Sequence, residues 1–210
     1  MLTRTKLKTE DRQAELVQVA LVLAAQKSPV EITTGDLAQA VGITQGAVFR
    51  HFESKEAIWL AALDWAHQAL IGRLQQAAQA KQADALQALR AVFMAHIDFV
   101  QEYPGVPRLV FQELQHAKPT PLKGKVQGLM ADYRTLVSGL LAQAHEDALT
   151  AADVDHKSAV VLFMGAVQGL VVQSLVTGSL KDMAKLAPAV FNIYEAGLLA
   201  PSTPEARKRK

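Results

Sequence analysis

The stretch Thr33–Lys55, TTGDLAQAVGITQGAVFRHFESK, constrains this chain more than any other. A helical pattern over Asp36–Val41 puts Leu37, Ala38 and Val41 on one face, stops at Gly42 and restarts after Thr44. Gly42 can take the left-handed conformation that ends a helix at low cost. Thr44 is a good N-cap for the next helix. Gln45–Phe52 then reads as a second short helix, with Val48 and Phe52 four apart on its inner face. Two short helices about one glycine turn make a helix-turn-helix, whose second helix can enter a DNA major groove.

A helical wheel sets Gly46, Ala47 and Arg50 opposite Val48 and Phe52, with Phe49 and His51 on the flanks. Gln45 falls in the first turn, where it can read adenine bidentately, and the Ala47 methyl can touch a thymine methyl. Arg50 suits either guanine or a phosphate, and Gly46 lets the backbone come close. Thr33, Thr34 and Thr44, at the starts of the two helices, are further candidate DNA contacts, and Thr34 is expected to cap the first. Lys55 opens the third helix of this region, where a cation opposes the helix dipole; a phosphate partner explains it, and solvent also tolerates it. Arg4 and Lys6, with Lys8 and Arg12, form a basic N-terminal arm. Such an arm either tracks a phosphate backbone or minor groove, or is merely a solvated terminus.

These residues resemble a family. Ile32–Leu63 is similar to the DNA-binding signature of the TetR family of bacterial transcriptional regulators. The likeness lies in Ile32-Thr33, Leu37-Ala38, Ala40-Val41-Gly42-Ile43, Gly46, Val48, Phe52 and Ser54-Lys55-Glu56. It implies an all-α fold, with a three-helix helix-turn-helix domain over residues 1–66. A helical effector-binding and dimerisation domain over 67–200 and a basic tail over 201–210 complete the chain. The resemblance also implies a homodimer formed through the last two helices, a palindromic double-stranded DNA operator, and a small-molecule effector that releases the repressor. Control by a protein partner without an effector is the alternative. Family members often hold phosphate-contacting tyrosines on the recognition helix. Phe49 and His51 stand in those places here; Phe49 lacks the hydroxyl and His51 keeps a ring donor.

Composition narrows the rest. Half of the 210 residues are apolar, enough for a real core. The absence of cysteine excludes disulfides, thiolate catalysis and Cys-ligated zinc, and fits a cytoplasmic setting. The net charge is +2, and Arg207–Lys210 are all basic, so the body is slightly acidic. DNA affinity must therefore come from local placement of cations. No GxSxG, Gly-rich phosphate loop or evident carboxylate cluster suggests an enzyme. His96, His116, His145 and His156 lie in separate predicted elements without HxxxH or HExxH spacing, so neither metal nor cofactor is expected.

Along the chain, helices are expected over Thr9–Lys27, from Ser54 to about Ala80, and from Asp84 to about Val100. Others are expected over Arg108–His116, Val126–His145, Ser158–Thr177 and Lys181–Leu199, with Ala117–Gly124 as a loop. Asp153 is a candidate cap for the helix after it, and Pro188 should perturb the last helix or shift its start. Ser158–Leu180 carries no charge and is long enough to span a membrane. Gln168, Gln173 and Ser174, and the lack of a Trp or Tyr belt, favour a helix covered on all sides in a dimer instead. Leu162, Gly165, Gly169, Val172 and Val176 on that helix, with Phe191 and Tyr194 on the last, form the candidate dimer face. Candidate effector contacts are Phe93, His96, Ile97, Phe111, Met130, Tyr133, Phe163, Met164 and Val167, because methionines and aromatics adapt to apolar ligands. Each is also an ordinary core residue.

Overall fold

The computed structural model describes residues 8–199, so Arg4, Lys6 and the tail over 201–210 lie outside the described residues. The described chain is helical throughout, as expected. Helix α1 (Thr9–Gln26) buries Leu16, Val17, Ala20, Leu21 and Ala24. Val19 and Leu23 of the same helix are only half-buried.

Helix α2 (Thr34–Val41) is capped by Thr33, not by Thr34 as the sequence suggests. The Asp36 N–H donates to Thr33 Oγ1 at 3.1 Å, and the Thr33 N–H donates to Asp36 Oδ2 at 2.7 Å. The two ends of this capping box satisfy each other. The Lys27 ammonium, 2.9 Å from Asp36 Oδ2, is the main reason the Asp36 carboxyl is held far below the usual carboxylate range; the Thr33 bonds add to it. Gly42 ends α2 at φ +72°, in the left-handed region.

Helix α3 covers Gln45–Val48, with Thr44 Oγ1 accepting from the Ala47 N–H. The periodicity extends the helix to Phe52, but the structure does not. Beyond Val48 the chain tightens into a turn, in which the Arg50 and His51 N–H groups bond three residues back to Ala47 and Val48. Phe52 ends half-buried, and Val48 alone anchors the helix with no exposure.

Ser54 caps α4 (Lys55–Gln79) and Asp84 caps α5 (Ala85–Glu102). Helix α6 (Gly105–Leu114) starts earlier than expected, because Pro107 falls in its first turn, where a missing N–H costs nothing. Helix α7 (Pro121–Glu146) likewise begins on a proline inside the expected loop, with Thr120 Oγ1 accepting from the Lys123 N–H. Helix α8 (His156–Thr177) is capped by Asp155, not Asp153, and ends at left-handed Gly178. Helix α9 (Leu180–Leu198) runs straight through Pro188, which is exposed. The start of the helix is not shifted to the proline.

The chain forms two compact units. One comprises Met1–Gly72 and Phe99–Ala131, the other Arg73–Asp98 and Asp132–Lys210. The sequence expectation places one boundary near residue 66; α6 and the start of α7 group with the first unit. There α6 packs on α1, and Gly105 lies so close that an added Cβ would stand 1.9 Å from the Leu21 carbonyl oxygen. Leu16, Ile32, Leu37, Val48 and Ile58 are fully buried in this unit, and Trp59 nearly so. In the second unit α8 packs on α9. Phe163 sits among the rings of Phe93, Tyr133, Phe191 and Tyr194, at centroid distances of 5.4, 6.2, 6.5 and 5.4 Å.

Candidate nucleic-acid interface

The first unit presents the outer side of α3 to solvent. Gln45, Gly46, Phe49 and Arg50 are exposed, Ala47 is half-buried, and Val48 holds them out from beneath. The geometry supplies a methyl, a guanidinium and a carboxamide on one protruding edge, the set that reads base edges and phosphates in a major groove.

Long-range hydrogen bonds fix this edge. At its start, Gln45 Nε2 donates to Thr34 Oγ1 at 2.7 Å. At its end, Gln13 Nε2 of α1 donates to the His51 carbonyl at 2.8 Å. The His51 Nδ1 is buried with no hydrogen-bond partner among the described residues. Lys55 Nζ donates to the Val30 carbonyl at 3.0 Å, and partial burial lowers its pKa. The Val30 N–H in turn donates to Gln112 Oε1 of α6 at 3.2 Å. Lys55 therefore has an internal partner that its position at a helix start does not foretell. The roles of Gln13 and Gln112 carry no sequence signal, because each bond joins residues far apart in the chain. Thr33 and Thr44 both spend their hydroxyls on caps.

The second unit gathers seven of the nine candidate effector residues: Phe93, His96, Ile97, Tyr133, Phe163, Met164 and Val167. Phe111 and Met130 belong to the first unit. Six of the seven are buried and His96 is half-buried; Phe93 and Phe163 have no exposure, and Phe93 also meets Phe191 at 5.4 Å. His96 Nδ1 lies 3.0 Å from the Tyr133 hydroxyl. Burial pushes the His96 imidazole down to about 4 and raises the Tyr133 phenol. His145 and His156 approach to 4.9 Å between ring centroids, but no group of three potential metal ligands occurs among the described residues.

Helices α8 and α9 carry an uncovered apolar face. Val161, Leu162, Val172 and Val176 on α8, and Leu186 and Ile193 on α9, are exposed, and Gly165 and Gly169 lie open among them. Leu162, Ala166, Val190 and Ile193 line a groove of about 570 Å³ between the two helices. Tyr194 also lines this groove, whereas Phe191 lies beneath it. Both turn inward onto Phe163, and Phe191 is fully buried. Their positions on α9 fall on its inner stripe with Met183 and Ala187. Helix α8 has the length and apolarity to cross a membrane, but 44% of its most apolar stretch is buried inside the protein.

Residues 16–62 match the family model of bacterial regulatory proteins, tetR family. Over 191 residues the chain is 25% identical to the nucleoid occlusion factor SlmA of Vibrio cholerae, spanning 90% of this chain and 95% of that protein. The SlmA of Vibrio vulnificus is 24% identical over 163 residues, spanning 77% and 83%. Among solved structures, the transcriptional regulator FadR from Bacillus subtilis, in complex with stearoyl-CoA, superposes with a TM-score of 0.76 at 17% identity. That match covers 88% of this chain and 98% of that one. The ketosteroid transcriptional regulator KstR2 of Mycobacterium tuberculosis gives 0.75 at 20% identity, covering 90% and 96%. At such identities the solved structures establish the fold, and the family-model match covers the helix-turn-helix. Over residues 16–62 the chain is thus similar to the tetR family of bacterial regulatory proteins, and it shares the fold of these solved transcriptional regulators.

Proposed function

We propose that this protein is a cytoplasmic homodimeric repressor that a small molecule releases from a palindromic operator. The observation that carries the reading is the uncovered apolar face of α8 and α9. Val176 is 77% exposed and Ile193 76% exposed, in helices whose opposite sides are closely packed. Apolar area left in water is unfavourable by about 25 cal/mol per Å², which favours covering this face with its own copy. A two-fold pairing makes the face self-complementary, with Gly165 and Gly169 permitting close approach of two helices. It also doubles the base pairs read by a short α3 and selects a symmetric site.

DNA contact falls to Gln45, Ala47 and Arg50 on the exposed edge, with Gly46, Phe49 and His51 beside them. Arg4 and Lys6 of the N-terminal arm extend the contact. The effector is assigned to the second unit, around Phe93, Ile97, Phe163, Met164 and Val167. There the His96–Tyr133 pair provides one hydrogen-bonding group in apolar surroundings. FadR carries this fold with stearoyl-CoA bound, and KstR2 carries it as a ketosteroid regulator; both support a large, mostly apolar ligand here. A second reading, control by a protein partner without a small effector, is favoured by the relatives named nucleoid occlusion factors.

Selection of bound DNA from a random pool tests the proposal. A two-fold-symmetric site is expected, and its absence would count against a dimeric repressor. Release of that site by members of an acyl-CoA and steroid panel supports the effector reading. No release by any of them favours the protein-partner reading. The dimer has its own test. Val176→Glu places a charge in the covered face, so sedimentation should show monomer at micromolar concentration. Operator affinity should fall on the order of 100-fold, because one half-site is left to bind alone. An unaltered dimer would move the interface elsewhere.

A further inference from the structure

We infer that Thr34 is a specificity-determining positioning residue, which orients the Gln45 carboxamide so that each subunit requires adenine at one operator position. This rests on the DNA-reading role of α3 proposed above. Three observations support it.

First, Thr34 has no other evident task. Capping of α2 belongs to Thr33 and Asp36, which bond each other, and Thr34 is the first helical residue after the cap. Its hydroxyl accepts the Gln45 Nε2–H at 2.7 Å. Second, the bond uses only part of the amide. A primary carboxamide has two N–H donors and one carbonyl oxygen. Bidentate reading of adenine needs the carbonyl oxygen, which accepts from N6, and the one N–H beside it, which donates to N7. The N–H that remains, on the far side of the nitrogen, is free to bond Thr34 while that edge stays open. The two bonds are therefore compatible, and the first sets the plane of the second. Third, Gln45 is exposed in the first turn of a four-residue helix, where nothing else would restrict its rotamers. A free glutamine loses that freedom on meeting DNA; one already held does not.

The orientation also has a sign. With the nitrogen turned to Thr34, the open edge is an acceptor beside a single donor. Adenine matches it through N6 and N7. Guanine presents two acceptors, O6 and N7, and leaves the Gln45 carbonyl facing an acceptor. Discrimination against guanine should be the strongest part of the preference.

The test takes the full chain and the site selected by the wild type, with each base in turn at every half-site position. Wild-type protein should prefer adenine over guanine at one position by roughly 5- to 150-fold, the range for a bidentate contact. Thr34→Val keeps the shape and deletes the hydroxyl; it should lower that ratio about three- to tenfold and leave binding to unrelated DNA unchanged. Thr34→Ser should restore the ratio. In a Gln45→Ala background the ratio is lost already, so adding Thr34→Val should change nothing further. Circular dichroism of each variant checks that α2 and α3 are intact. The inference is overturned if Thr34→Val weakens all DNA equally, which would make Thr34 a phosphate contact. An unchanged ratio, or an added loss in the Gln45→Ala background, also overturns it. If the wild type enriches a symmetric site with no adenine preference, the positioning role fails while DNA reading stands. If it enriches no site, the DNA reading fails first.

Discussion

Phe163→Ala is expected to destabilise the protein by about 3–5 kcal/mol, the range for truncating a buried aromatic. Phe163 has no exposure and lies at the centre of the second unit's aromatic cluster. Its ring meets Phe93 and Tyr194 edge-on at 5.4 Å and Tyr133 at 6.2 Å. Each such pair adds about 0.5–1.5 kcal/mol beyond the area it buries. The four surrounding rings are large and planar and come from α5, α7 and α9, so they cannot easily close the gap. The change should appear as a lower denaturant midpoint at matched protein concentration, since a dimer's stability depends on concentration. A loss below about 1 kcal/mol would mean that the cluster collapses around the cavity and is less rigid than its geometry implies.

The second large effect concerns the first unit. Gly105→Ala should destabilise it by about 3 kcal/mol, the upper end for overpacking. A methyl there would stand 1.9 Å from the Leu21 carbonyl oxygen, 2.9 Å from its carbon and 3.0 Å from the Ala25 nitrogen. These are backbone atoms of α1, so no side chain can rotate away; α6 or α1 must move. Alanine ordinarily favours a helix over glycine by about 1 kcal/mol, and Gly128 in α7, with nothing near its absent Cβ, should show that gain. Thermal unfolding of Gly105→Ala and Gly128→Ala should therefore move in opposite directions. A stabilised Gly105→Ala would show that the close approach of α6 to α1 is not a feature of the molecule in solution.

Much of the local structure is readable along the chain. Gly42 at φ +72°, Thr44 as the cap of α3, and the burial of Val48 stem from short-range rules of helix ends and periodicity. Where expectation and structure part, the reasons are local too. Pro107 and Pro121 read as breaks, yet each sits in a first turn, where proline fits. Phe191 reads as interface because α9 is apolar on more than one side; the inner side wins it through Phe163, while Tyr194 packs on Phe163 and also lines the groove. Seven candidate effector residues share one unit, but that is legible only as a common apolar periodicity, which core and pocket both satisfy.

The sequence by itself determined the helix-turn-helix, the helical class and the residue types on the reading edge, because caps, glycine turns and 3.6-residue spacing act over a few residues. Tertiary structure alone decided what holds that edge in place. Thr34 on Gln45, Gln13 on the His51 carbonyl, and Val30 between Lys55 and Gln112 are single hydrogen bonds between residues 11 to 82 apart in the chain. No spacing rule reaches that far. Only the packing of α1, α2 and α6 brings those donors and acceptors within bonding distance.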